Sequence, residues 1–200
     1  MPRPQRDSLI VAVAAGLVLG VATRFVYELP HEWHWLAKVG VPWLAAAFAV
    51  GALARRPARG ALNGAAALVA ATLVYYAILA LVQHAYGVSA VGMGWLLVAV
   101  PGGAAFGALG TTYARARGRA RVLAAALLTA AFAGEAVLFA LLVHHPGRAG
   151  TYLLAIAMAL PFLLLRRARE RLLALTISAF LAGVALVAEG GVFVVTRYMV

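Results

Sequence analysis

Cysteine is absent from this chain, lysine occurs once, and the acids number six against 17 basic residues. Without cysteine there are no disulfides, no thiolate metal sites and no S-acylation. Charge of either sign is scarce: 12% of the 200 residues are charged, against about a quarter in soluble domains, and 65% are hydrophobic, with a mean hydropathy of +0.95. A soluble globular domain is excluded on these grounds, and an integral membrane protein is expected. Catalytic signatures are missing as well, since no Walker loop, GxSxG or dinucleotide fingerprint occurs. The expectation is a non-enzyme with no cofactor.

What charge there is has a pattern. Thirteen of the 17 basic residues fall in four clusters: Arg3 and Arg6; Arg55, Arg56 and Arg59; Arg115, Arg117, Arg119 and Arg121; Arg166, Arg167, Arg169 and Arg171. Each borders an apolar run. The net charge of +11 is therefore a topology signal and not a nucleic-acid footprint: short basic loops stay cytoplasmic and face anionic lipids. Apolar runs near 8 to 27, 39 to 54, 60 to 83, 91 to 113, 120 to 143, 150 to 165 and 172 to 196 give seven candidate spans in one transmembrane domain over 1–200. The N-terminus is then cytoplasmic and the C-terminus outside, with the first apolar run retained as a helix instead of cleaved as a signal peptide. All four tryptophans, Trp33, Trp35, Trp43 and Trp95, fall in or near the outer loops, as an interfacial belt requires.

The predicted fold is all-α, a leading helix followed by three helical hairpins. Each hairpin turns at a basic loop and rises through an Ala-rich helix. An offset of 59 residues carries Tyr76 onto Glu135, and a further 54 carries Glu135 onto Glu189. Counted from the inner end of each rising helix, Arg24, Tyr76 and Glu135 lie 16 residues along and Glu189 lies 18 along. At 1.5 Å per residue that places them roughly 24 to 27 Å above the inner boundary. An unpaired charge at that depth costs about 2.5 to 3.5 kcal/mol, so these groups turn inward and pair or line a wet cavity. The candidate solute- or proton-binding residues are Glu135, Glu189, Arg24, Tyr76 and the adjacent Tyr75. Two carboxylates against one arginine suit a proton, a cation or a hydroxyl-rich ligand. The competing reading is structural: the same layer locks helices together, and Arg24, four residues from Glu28, reaches the outer interface.

Glycine supplies two further expectations. Ala12, Gly16 and Gly20, then Gly60 and Gly64, then Gly103 and Gly107 make small-residue ribbons for close helix contact, within the bundle or toward a partner subunit or second copy. Pro101, Gly102, Gly103 and Pro161 mark weak points of the kind found in broken transporter helices. The histidines (His31, His34, His84, His144, His145) all fall in outer segments. "HEWHW" spaces its histidines three apart where a zinc-protease helix needs four, so no metal site is predicted. "PHEWHWLAK" suits a short amphipathic helix on the membrane surface.

The segments "VPWLAAAFAVGALARRPARGALNGAAALVAATLVYYA", "PGGAAFGALG" and "FAGEAVLF" resemble a family of small bacterial integral membrane proteins that carries only a domain-of-unknown-function label. The resemblance implies a bacterial inner-membrane location and no particular activity. The chain is also similar, more distantly, to the substrate-binding subunits of energy-coupling-factor transporters, which are small Ala/Gly-rich bundles usually of six helices. Two functions are compatible with all of this: binding or translocation of a small solute or proton through an outward-facing charged cavity, and a non-transporting membrane subunit or scaffold.

Overall fold

The computed structural model describes the backbone of residues 3–83, 90–142 and 149–198; side chains at the edges of these segments, including 185–198, are not described. The described residues are mainly helical, with short turns between the helices and no strand among them. Seven α-helices follow in order: α1 (Arg3–Phe25), α2 (Val41–Ala52), α3 (Pro57–Gln83), α4 (Ala90–Arg115), α5 (Arg119–Leu142), α6 (Ala149–Leu164) and α7 (Ala168–Tyr198). Two 3-10 segments, Val26–Glu28 and His31–Lys38, join α1 to α2.

Among the described residues, four helices contain runs long and apolar enough to cross a membrane: Ser8–Phe25, Pro57–Val82, Gly92–Arg115 and Arg119–Ala140. A fifth is reached if Glu32–Lys38 and Val41–Ala52, bent by 54° at Val39 and Gly40, count as one span. The expected count of seven is not reached among the described residues: α2 has 12 residues and α6 has 16, short of about 20 for a perpendicular crossing, and the side chains of α7 from 185 onward lie outside the described residues. The expected breaks in the fourth and sixth helices are likewise missing: α4 continues through Pro101 and α6 through Pro161.

The helices gather into two compact units, Met1–Arg117 and Gly118–Val200. The division falls at Gly118, whose φ of 61° is a left-handed conformation that glycine adopts without a Cβ clash, directly before α5 begins. In the first unit the small-residue ribbons lie where two backbones meet. Gly16 packs on the Ala67 backbone and Gly20 on that of Ala71, so α1 and α3 run parallel. Gly60 faces Gly107 and Gly64 faces Gly103, bringing α4 antiparallel onto α3, while Gly51 and Gly110 bring α2 onto α4. Thr111, fully buried, pins that last crossing by donating its hydroxyl to the Gly51 carbonyl at 2.7 Å. In lipid the hydrophobic effect does not drive helices together, so close backbone approach and such bonds supply the association.

In the second unit α5 is the common partner. Ser178 of α7 donates to the Ala126 carbonyl at 2.9 Å, and Gly150 of α6 packs on Ala136. The expected hairpin of α6 and α7 is therefore not the packing unit, since both helices bury their small residues against α5.

The basic turns also cap helices. The last carbonyls of a helix have no intrahelical donor and carry partial negative charge. Arg115 donates to the Ala54 carbonyl just beyond α2 at 3.3 Å. Arg121 and Arg171 donate to the Leu164 and Leu165 carbonyls at the end of α6, at 3.3 and 2.8 Å.

Candidate functional site: an aromatic cavity in the first unit

The end of the first unit opposite its arginine-rich turn is hollow. The cavity there has a volume of about 440 Å³, toward the lower end of the roughly 300 to 1,000 Å³ of small-molecule sites. Its walls come from α1, the 3-10 helix His31–Lys38, and the adjoining ends of α2, α3 and α4. Aromatic side chains dominate them: Trp43, Tyr75, Tyr76 and Trp95. Three of them are packed edge to face, with Tyr75 and Tyr76 ring centres 5.2 Å apart at 89° and Trp43 and Tyr75 6.4 Å apart at 77°. Such T-shaped pairs satisfy the ring quadrupoles and hold each other in orientation.

Two buried threonines add polarity. Thr23 and Thr72 each donate their hydroxyl proton to the carbonyl four residues back, Leu19 and Leu68, at 2.8 Å. With the proton so used, each oxygen presents acceptor lone pairs to the cavity. Lys38, at the end of the 3-10 helix, is the one charged side chain, and no carboxylate is present, among the described residues of the lining.

The residues singled out in the sequence thus divide. Tyr75 and Tyr76 stand together in this cavity. Arg24 follows the cavity residue Thr23, yet its guanidinium pairs with Glu28 at 3.0 Å, one turn on, with side-chain exposures of 13% and 64%. The pair is local, between residues four apart in consecutive helical segments. Glu135 is half-buried on α5 of the second unit. Glu189 belongs to α7, and its side chain lies outside the described residues. Sequence reasoning missed Trp43, Trp95, Thr23, Thr72 and Lys38. The available signal was the tryptophans, which were assigned to an interfacial belt as a class.

Of the histidines, His34 contacts the Leu29 carbonyl through Nε2 at 2.9 Å. His84, His144 and His145 lie outside the described residues. Among the described residues no three of His, Asp and Glu come together as a metal-binding group.

Residues 1–194 match the family model described as "Family of unknown function (DUF6518)", and the chain belongs to that family. No curated protein and no solved structure matches it significantly. The likeness to energy-coupling-factor subunits is therefore without support from either comparison.

Proposed function

Starting from a family with no assigned activity, we propose that this chain is a multi-pass membrane protein that binds a small amphipathic solute in the aromatic cavity of its first unit. The observation that carries the reading is the lining itself: four aromatic side chains, two buried hydroxyl acceptors and one lysine, with no acid among the described residues. A solute that fits has a flat or apolar body for the rings, a hydrogen-bond donor for Thr23 or Thr72, and an anionic or neutral acceptor for Lys38. A cationic solute is disfavoured because Lys38 would repel it without a compensating carboxylate. This departs from the acid-lined site expected for a proton or cation.

The orientation belongs to the same proposal. All seven helices cross, α2 together with the 3-10 helix before it and α6 by virtue of a locally thinned bilayer. The arginine-rich turns face the cytoplasm, and the cavity opens outward in a bacterial inner membrane. Glu135 and Glu189, in the second unit, are the candidates for coupling to protons. The scaffold reading drew its support from the glycine ribbons as docking faces, but Gly16, Gly20, Gly60, Gly64, Gly103 and Gly107 are all occupied within the first unit.

The test is calorimetric titration of the purified protein with indole-3-acetate, its amide, and tryptamine as probes. Binding in the order carboxylate, amide, amine supports the proposal, with the preference lost in Lys38→Met and all binding lost in Tyr76→Ala. Equal binding of the amine and the acid, or no effect of Tyr76→Ala, overturns it.

A further inference from the structure

The aromatic cavity owes its position to a change in side-chain size along two helices. On α3 the residues spaced four apart run Gly60, Gly64, Leu68, Thr72 and Tyr76; on α4, read from its other end, they run Gly107, Gly103, Ala99 and Trp95. Residues four apart share a helix face, and these two faces meet: Gly60 and Gly64 lie on the backbone of Gly107 and Gly103, and Ala99 is buried in one cluster with Leu68. Beyond Ala99 both faces turn bulky, with Tyr76 and Trp95 at positions that continue the glycine stripes. Small residues let two backbones approach, and side chains of this size keep them apart. The cavity lies in that divergence, lined by Tyr76 and Trp95 themselves.

The same divergence opens the cavity sideways. Trp95 and Val98, one turn apart on α4, line the cavity and yet are 54% and 58% exposed. Around them α4 also exposes Met93, Leu97 and Val100, so the rim on this side is apolar. All five belong to the run Gly92–Arg115, which is long and apolar enough to cross a membrane, and the exterior of such a run faces hydrocarbon. The polar groups of the lining stand on other elements: Lys38 ends the 3-10 helix, and Thr23 and Thr72 are buried on α1 and α3. A cavity with a cationic, hydrogen-bonding part and an apolar exit has the two halves that an amphiphile requires.

Resting on the solute reading above, we infer that the ligand is a membrane-resident amphiphile: an anionic, ring-bearing head held by Lys38, the threonines and the aromatic side chains, with an alkyl tail that leaves past Trp95 and Val98 into the bilayer. The apolar slot passes the tail alone, since a charge crossing hydrocarbon is costly; the head comes and goes at the 3-10 segment. A tail that lies in lipid costs nothing to lengthen, whereas a closed cavity rejects a tail longer than itself. The experiment is displacement of radiolabelled indole-3-acetate from the full chain in nanodiscs by para-alkylbenzoates with butyl, octyl and dodecyl tails, compared at equal mole fraction in the bilayer. The three should displace equally, within about threefold, and para-dodecylbenzylamine should not displace. Val98→Trp narrows the exit and should weaken the dodecyl compound against the butyl one by about tenfold, while Leu97→Trp, one position along and not among the described lining residues, should leave the series flat. Displacement by the butyl but not the dodecyl compound in the unaltered protein would overturn the inference and leave a water-soluble solute in the cavity. Equal effects of the two tryptophan variants, or displacement by the amine as strong as by the acid, would overturn it as well. Failure of indole-3-acetate itself to bind would overturn the underlying reading and this inference with it.

Discussion

Gly107 is the most demanding position in the first unit, and replacing it with alanine turns the packing argument into a number. A methyl group there would sit within 3.0 Å of Gly60 and Gly64 backbone atoms, closer than real Cβ atoms approach. The obstruction is backbone, so no side-chain rotation relieves it, and α3 and α4 must separate. Overpacking of this kind costs about 1 to 3 kcal/mol. The separation also strains the Thr111 bond to Gly51, a further loss of about 0.5 to 1.5 kcal/mol. Gly94, on the same helix, provides the control, because a Cβ added there meets nothing within 4 Å. At that position alanine gains about 0.8 to 1.0 kcal/mol of helix propensity. The two substitutions therefore have opposite signs: Gly107→Ala should lose about 1.5 to 4.5 kcal/mol, and Gly94→Ala should be neutral or more stable. Reversible unfolding in mixed detergent micelles measures both. A Gly107→Ala protein as stable as the unaltered one would refute the close α3–α4 crossing.

Further outcomes are expected elsewhere. Asn63→Leu removes two buried amide atoms without partners, so thermal unfolding should shift upward by the equivalent of about 1 to 3 kcal/mol; a large drop would mean that the amide is satisfied and needed. Glu28→Gln weakens a rim pair worth about 0 to 1 kcal/mol, so stability should barely change, and a loss of several kcal/mol would place Arg24 in a deeper network. Glu135→Gln should fold normally, and if Glu135 couples protons, uptake of the cavity's solute into proteoliposomes should lose its dependence on a pH gradient; unchanged coupling would remove Glu135 from the mechanism. A cytoplasm-active reporter should work when inserted in the 55 to 59 turn and stay silent at the C-terminus, whereas activity at both sites would make the number of spans even.

The parts of this molecule readable in one dimension are those set by spacing along a helix. The ribbons Gly16/Gly20, Gly60/Gly64 and Gly103/Gly107 recur every four residues, and such a stripe can serve little but close contact; in the structure Gly60/Gly64 meets Gly103/Gly107, and Gly16/Gly20 meets Ala67 and Ala71. Arg119 marked the start of a helix, and α5 begins there. The cavity was only half legible, through Tyr75 and Tyr76. Depth along a helix can be counted, but azimuth cannot: Trp43, Tyr75 and Trp95 converge because three helix ends face one another. The repeat misled for the same reason. Alanine-rich hairpins align well in sequence, whereas the choice of neighbour turned on single residues such as Ser178 and Gly150.

The 3-10 helix His31–Lys38 has a consequence for rates. Its hydrogen bonds have poorer geometry than those of an α-helix, and runs beyond three or four residues are uncommon; this one has eight residues and bends by 54° into α2 across Val39 and Gly40. Its C-terminal residues Ala37 and Lys38 form part of the cavity wall. The remaining walls belong to α-helices seated on one another. If the proposed solute binds there, its least costly route in or out is local unwinding of this segment, and its residence time would be set by how often eight residues let go. Amide hydrogen exchange should be fastest there within the first unit and should slow when the cavity is filled; equal protection of α3 and this segment would assign entry to another wall.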